Sequence, residues 1–292
     1  MDKKIAIIDI GSNSVRYACF GGEPFVQKEL SSTVLADGLF QSGLLKEDAI
    51  ERTAAAVASF CDKARAAGVQ EIYAFATEAI RAAKNGKEAA LAIETRAKVP
   101  VDVVSGETEA KIGFMGASPS PLAPCALFDI GGASAELICG QGEQISYRKS
   151  LPVGCVRLRD GSGGSEEKAA RILESTIPFY GALPAFTTLT GIGGTATSLG
   201  GMLACPQKYD PKKVHGTSVP REFLCEVCAR FFAGEPLRKA FPCLTENRAA
   251  LIGYGAMIAA AILDHVQATS FTVSEHDNME GYLLYKNTKK SV

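Results

Sequence analysis

Two strings constrain this chain more than anything else in it: IAIIDIGSNSVRYACF at 5–20 and LFDIGGASAELICG at 127–140. Each runs an apolar segment into an aspartate, Asp9 or Asp129, then through a glycine turn and out along a second apolar segment. That pattern predicts a strand, a tight turn and a returning strand. Glycine at such a turn lets backbone N–H groups point into open space, where they can hold anionic oxygens. A third glycine turn, LTGIGGTATSLG at 189–200, follows another β-rich run. One Asp-Ile-Gly string occurs readily by chance. Two of them in separate halves, each between apolar strands, say that the fold is built twice.

The rest of the chain fits a doubled plan. Residues 4–10 read as a strand buried on both faces, and 15–20 return from the turn. Gly21-Gly22 leads to a strand around 25–28, and Asp37-Gly38 marks a loop. Apolar residues at helical spacing over 46–67 stop at Gly68, which predicts a long helix. A strand at 71–76, helices from Thr77 and over 87–97, a strand at 101–104 and a helix from Ser105 to about Met115 follow. ASPSPLAP at 117–124 is the linker candidate. Strands are then expected at 126–130, 135–139, 144–150, 187–192 and 270–274. Helices are expected at 165–180, 195–202, 221–232 and 245–263, with a terminal one from Met279. Both halves read β-β-β-α-β-α, an α/β class. The domains are 1–117 and 118–278, with 279–292 packing back on the first. A doubled sheet of this kind binds ligands between its halves, at strand ends.

Composition narrows the function classes. The 292 residues are enough for two domains with real cores. With 31 Lys and Arg against 32 Asp and Glu, a polyanionic ligand must meet a local basic lining, because the whole chain supplies no steering field. No basic block supports nucleic-acid binding. Nine cysteines occur singly and no signal-type segment precedes them, so reduced thiols in a cytoplasm are expected. Cys225 and Cys228 form a C-x-x-C inside a helical pattern, without a second ligand pair at zinc spacing. The longest apolar run, 251–263, is too short to cross a bilayer, so no membrane partner is expected.

The motifs, taken in order, resemble the exopolyphosphatase and guanosine pentaphosphate phosphohydrolase (Ppx/GppA) family. They are DIGSNS at 9–14, FATEAIR at 75–81, SGETEA at 105–110, DIGGASAEL at 129–137, LPVGCVRL at 151–158, GIGGTAT at 191–197 and VHG at 214–216. The resemblance covers essentially the whole chain and implies the actin-like ATPase (ASKHA) fold, two ribonuclease-H-like domains facing a cleft, in a short two-domain form. There are departures. Ala133 stands at the third glycine of DIGGG, and Thr108 at the first Glu of E-E-A. The late R-A-D motif is Arg248-Ala249-Ala250, and VSEHDNMEG at 273–281 has Met279 at the place of an arginine.

This resemblance implies a phosphohydrolase. It would release terminal phosphate from inorganic polyphosphate or guanosine pentaphosphate with Mg²⁺, by direct attack of water. Phosphate would be held by Gly11, Ser12, Asn13 and Ser14, by Gly131, Gly132, Ala133 and Ser134, by Gly193 and Gly194, and by the fixed donor fork of Arg81. Asp9, Asp129 and Glu136 would hold the metal, a hard cation that takes oxygen ligands. Glu109 and Glu136 would be the catalytic carboxylates, Glu109 acting on the water. Glu109 also reads as a helix-dipole carboxylate, and Arg81 as a surface arginine. His215 reads as a loop histidine or a distal phosphate ligand. Lys208, Lys212 and Lys213 read as solvated surface or as a basic rim. Two other functions fit the same motifs: a non-catalytic polyphosphate or alarmone sensor, and a polyphosphate:ADP phosphotransferase. A homodimer is the base-rate expectation.

Overall fold

The computed structural model describes residues 3–21, 27–37 and 39–290. Gly22, Phe25 and Gly38, where the sequence places a strand entry and a loop, lie outside the described residues. The chain divides into two compact units, 1–113 with 282–292, and 114–281. Helices of eight residues or more are numbered below.

The first unit has β1 (Ile5–Ile10), β2 (Ser14–Phe20), β3 (Gln27–Ser32), β4 (Glu71–Ala76) and β5 (Val101–Val103), in sheet order β3-β2-β1-β4-β5. β1 is central, antiparallel to β2 and parallel to β4. Its position explains the unbroken apolar run, since Ala6, Ile7, Ile8 and Ile10 are all buried. The helices are α1 (Glu47–Ala66), α2 (Gly86–Ala97) and α3 (Gly106–Ala117). α1 carries Glu47 and Asp48 in its first turn and Lys63 and Arg65 in its last, the charge order that suits a helix dipole. It buries Val57, Phe60, Cys61 and Ala64, and Phe60 stacks on Tyr17 of β2 at 5.3 Å. The terminal helix Asn278–Lys290 also serves this unit. Its Tyr282 stacks on Phe75 at 4.4 Å and donates a hydrogen bond to Asp102 at 2.8 Å.

The second unit has β6 (Cys125–Ile130), β7 (Ala135–Gln141), β8 (Gln144–Leu151), β9 (Thr188–Ile192), β10 (Ser218–Pro220) and β11 (Ser270–Val273). Their order is β10-β11-β9-β6-β7-β8. Setting β6 on β1, the two sheets have the same order and the same strand directions, with β10 added at one edge. The doubling expected from the two Asp-Ile-Gly turns is present.

The helices of this unit are α4 (Cys155–Ser162), α5 (Glu166–Thr176), α6 (Gly193–Ala204), α7 (Arg221–Phe232) and α8 (Ile252–Val266), and α9 (Asn278–Lys290) leaves it. α8 is the central core helix, with Ile258, Ile262 and Leu263 fully buried, each contributing roughly 1.5–3 kcal/mol of burial.

Several boundaries differ from the sequence reading. The helix expected over 165–180 ends as α5 at Thr176, and Pro178 sits in a separate 3-10 turn, Ile177–Tyr180. The helix expected over 245–263 is broken: Glu246–Ala249 is one turn, and α8 starts after Leu251 leaves helical geometry. α4 and β10 were not expected at all. No helix among the described residues is long and apolar enough to cross a membrane. All nine cysteines are free thiols; on α7, Cys225 is exposed and Cys228 is buried.

Candidate active site

In the second unit β6 carries Asp129 to the C-terminal edge of the sheet, level with Glu136 on β7 and Ile192 on β9. The turn beyond it closes on a hydrogen bond from the Gly131 N–H to the Ser134 carbonyl at 2.9 Å. The first unit repeats this from Gly11 to Ser14 at 3.0 Å. In each turn the glycine amide is engaged, which leaves Ser12 and Asn13, or Gly132 and Ala133, as the amides presented outward. Ala133 is not among the left-handed residues, so its methyl demands no special backbone angle.

Two helices hold the second turn in place. The amides of Cys155 and Val156 donate to the Gly131 and Gly132 carbonyls at 2.9 Å each, and the amide of Arg157 also reaches Gly132, at 3.0 Å. The turn thereby caps α4. Gly154 makes this approach possible, because a Cβ there would lie 2.5 Å from the Gly132 carbonyl carbon. On the other side α6 begins at Gly193, whose φ is +73° and whose Cβ would stand 2.2 Å from Asp129 Oδ1. The carboxylate therefore lies directly against the start of α6. Thr195 Oγ1 donates to the Ile130 carbonyl at 2.7 Å and ties that helix start to β6.

Asp129, Gly131, Gly132, Gly193, Gly194 and Arg248 line one cavity of about 280 Å³, with Leu251 and Ile252 as apolar wall. The first amides of a helix have no intrahelical acceptor, and the positive end of the dipole lies there. The start of α6 therefore presents an anion-binding face to this cavity. The Arg248 guanidinium packs flat on Gly194: a Cβ there would be 2.3 Å from Arg248 Cζ. Burial first, and then the neighbouring Glu136, push the Asp129 carboxyl up to about 6, against the pull of Arg248. Glu136 accepts a hydrogen bond from Ser150 Oγ at 2.6 Å. Cationic donors and the Asp129 carboxylate thus meet in one space, with Glu136 beside Asp129 across the β6–β7 ladder. Ala133 faces a separate, open groove with Val156 and Arg157. A further groove of about 430 Å³ between α5 and α8 is mainly apolar, lined by residues such as Leu173, Ile177 and Met257, and offers nothing for phosphate.

The first unit brings other expected residues together. Arg81 Nη1 donates to Glu109 Oε2 at 3.0 Å and to the Val104 carbonyl at 2.8 Å, and Nη2 pairs with Glu78. The guanidinium is thus committed to three acceptors, and it fixes Glu109 in the first turn of α3. Ser105 caps that turn, its Oγ accepting from the Thr108 N–H at 3.1 Å. Thr108, one of the departures, stands at the third helical position of this cap. Asp9 is 3% exposed and lies in register with Arg16 on β2, whose Nε donates to Asp9 Oδ2 at 3.1 Å. The carbonyls of Ser12 and Asn13 accept from Ala36 at 2.9 Å and from Val34 at 2.9 Å. Val34 itself holds φ +49°, a strained angle for a β-branched residue.

Arg16, Ser150, Thr195 and Arg248 were not singled out as site residues from the sequence. Arg16 had a legible signal: it follows Asp9 by the same interval as Glu136 follows Asp129, and a tight hairpin sets those positions opposite. Arg248 had only the Arg of the R-A-D string as a signal, and its place against Gly194 is made by the fold.

The model of the Ppx/GppA phosphatase family matches residues 20–290. Exopolyphosphatase 2 of Mycobacterium tuberculosis is 29% identical, the match covering 96% of this chain and 98% of that protein. A crystal structure of the Aquifex aeolicus Ppx/GppA phosphatase, type II variant, superposes with a TM-score of 0.87 at 28% identity, covering 97% of this chain and 99% of that one. The exopolyphosphatase of Cytophaga hutchinsonii gives a TM-score of 0.73 at 22% identity over 98% of each chain, a likeness of fold. The two-sheet α/β architecture is the actin-like ATPase fold.

Proposed function

This chain belongs to the Ppx/GppA phosphatase family of phosphoanhydride hydrolases, and from that premise we propose that it releases terminal phosphate from inorganic polyphosphate or guanosine pentaphosphate, with Mg²⁺. The observation that carries this reading is the second-unit cavity, where Asp129, the start of α6 and Arg248 meet. A phosphoryl group needs positive donors for its oxygens and a counterion for its charge, and little covalent chemistry from the protein.

The residues present fit a hard divalent cation. Burial first, and then Glu136, raise the Asp129 carboxyl, and a bound cation would relieve both. Asp129 and Glu136 would hold Mg²⁺, with water completing its shell. Asp9 is neutralised by Arg16, so the metal is assigned to the second unit rather than shared by both turns. Bound Mg²⁺ supplies charge neutralisation on the phosphate oxygens.

The protein's own residues do the rest. The amides at Gly132 and at the start of α6 orient the phosphate, and Arg248 adds a charged fork. Glu109, fixed by Arg81, orients the attacking water and takes its proton. That assignment recasts Arg81 as the residue that holds Glu109 rather than as a phosphate ligand. No Ser-His-Asp or Cys-His arrangement suggested a covalent intermediate, so water attacks phosphorus directly.

Ala133, Ala250 and Met279 favour a second reading, a sensor that binds polyphosphate or an alarmone without turnover. The deciding experiment is phosphate release from long-chain polyphosphate and from guanosine pentaphosphate with Mg²⁺, for the wild type and Glu109→Gln. Release that Glu109→Gln abolishes while binding persists supports the hydrolase. Tight binding by a wild type that releases nothing supports the sensor. Release that requires ADP would make the chain a phosphotransferase. A cytoplasmic location and a homodimer complete the proposal.

A further inference from the structure

We propose that Arg157 forms a second anion subsite in the groove beside the Asp129 cavity. It grips the next phosphate of a phosphoanhydride whose terminal phosphate sits in that cavity. This rests on the hydrolase reading above and deepens it: Arg157 makes the site favour a chain of phosphates over a lone phosphate group.

The turn at 131–134 borders two spaces. Gly132 lines the cavity that contains Asp129, and it also lines an open groove of about 720 Å³. The rest of that groove is Ala133, Val156, Arg157, Asp160 and Gly161. A phosphate chain that leaves the cavity over Gly132 therefore enters the groove.

The backbone fixes Arg157 at this boundary. Its N–H donates to the Gly132 carbonyl at 3.0 Å, which anchors the residue to the turn shared by both spaces. The two preceding amides are engaged in the same way, Cys155 with Gly131 and Val156 with Gly132. With those donors taken, the start of α4 has little left for an anion. What the groove offers is the side chain of Arg157.

That side chain is uncommitted. Arg157 is exposed, and among the described residues its guanidinium has no hydrogen bond, ion pair or ring contact. Arg81 and Arg16, by contrast, are spent on carboxylates. Asp160 is the one carboxylate that lines the groove, and Arg159 holds it, Nε donating to Oδ1 at 2.8 Å. That pairing keeps Asp160 from turning to Arg157, three residues earlier on the helix. Arg157 is thus the uncompensated charge of the groove, flanked by the apolar side chains of Ala133 and Val156. Its planar fork matches two oxygens of one phosphate. In a chain of net charge −1, a polyanion is held by local groups of this kind.

The test uses the full chain with Mg²⁺. The probes are orthophosphate and imidodiphosphate, a pyrophosphate analogue whose bridging N–H resists hydrolysis. Calorimetry is expected to show imidodiphosphate binding more tightly than orthophosphate. Arg157→Ala loses about tenfold in affinity for imidodiphosphate, the size of one charge-assisted hydrogen bond, and keeps its affinity for orthophosphate. Arg157→Lys falls between, because it retains the charge without the fork. Melting temperatures stay at the wild-type value, since the side chain has no partner in the fold to lose; this separates lost grip from lost structure. Two substrate arms identify the source of the chain, KM for tripolyphosphate and KM for guanosine pentaphosphate. A rise of about tenfold in both means that the subsite reads the anhydride alone, and a rise in one assigns it to that substrate. An imidodiphosphate affinity unchanged in Arg157→Ala, or an orthophosphate affinity reduced by the same factor, would overturn the subsite and leave the hydrolase reading intact. A wild type that binds neither probe and releases no phosphate from either substrate would overturn both.

Discussion

Asp129 lies directly across the β6–β7 ladder from Glu136, at the register position where the other unit sets Asp9 against Arg16. One partner is a carboxylate and the other a guanidinium, so two copies of one hairpin have opposite electrostatics. Asp9 is held by a neighbouring positive charge, and Asp129 is crowded by a negative one.

Burial of Asp129, and then its Glu136 neighbour, make the second unit sensitive to pH. An Asp129 carboxyl raised from 3.8 to about 6 means that ionising it in the fold costs up to about 3 kcal/mol. The folded form holds the proton more tightly than the unfolded form. Stability from this group is therefore full below about 3.8 and is lost as pH rises through about 6. Asp129→Asn is expected to be more stable than wild type at pH 7.5 and similar to it at pH 4, by denaturant titration without metal. Added Mg²⁺ should close the gap at pH 7.5 by stabilising only the wild type. A variant no more stable at pH 7.5 would show that Asp129 is not strained.

Removing the proposed base should leave binding and abolish turnover. Glu109→Gln is expected to lower kcat by about 10²- to 10⁴-fold with little change in KM. Arg81→Ala frees Glu109 from its ion pair and should lower kcat in the same direction by a smaller factor. Single-turnover phosphate release measures both. Activity retained by Glu109→Gln would remove Glu109 from the mechanism.

Arg248 is the residue whose loss should weaken substrate grip. Arg248→Ala is expected to raise KM about 10- to 100-fold, as for loss of a charge-assisted contact, and to flatten the salt dependence of KM. Gly194→Ala should imitate it, because the added methyl takes the place of the guanidinium. Unchanged salt dependence in Arg248→Ala would place the guanidinium outside the binding site.

Gly154→Ala tests the clamp on the second turn. Its methyl would meet the Gly132 backbone at 2.5 Å, so the turn or α4 must move. A loss of about 1–3 kcal/mol is expected, with a larger loss of phosphate affinity than Gly163→Ala produces. Gly163 has open space around it, so its substitution controls for backbone angle alone.

Val34 offers a gain rather than a loss. At φ +49° a β-branched side chain is strained by about 1–3 kcal/mol, while asparagine tolerates that angle. Val34→Asn is expected to raise the melting temperature by a few degrees, and scanning calorimetry would detect it. An unchanged or lower midpoint would mean that the side chain's packing outweighs its backbone angle.

The parts legible in the sequence were those fixed by neighbours along the chain. The two Asp-Ile-Gly hairpins, the buried run of β1 and the stop of α1 before Gly68 all follow from local pattern. α4 did not show, because PVGCVRLRDGS has weak periodicity and its start is capped by carbonyls of Gly131 and Gly132. The break before α8 did not show either, since Thr245 to Leu263 reads as one apolar surface. At the site, motif matching picked out Asp129, Gly131 and Gly193, which line one cavity, and gave Asp9 and Asp129 the same role without showing what each faces. The difference lies across the ladder, in Arg16 against Glu136. The R-A-D string marks Arg248, but its contact with Gly194 comes from tertiary packing, which no local pattern encodes.

The stacking of Tyr282 on Phe75 also sets an order of events during synthesis. Residues 114–281 form one uninterrupted stretch, so the second unit can assemble as it leaves the ribosome. The first unit is begun earliest and finished last. Its β4 keeps an aromatic face uncovered through the translation of everything in between, until α9 arrives. A chain cut short before Tyr282 keeps every residue of the second unit up to 281 and leaves Phe75 without its stacking partner.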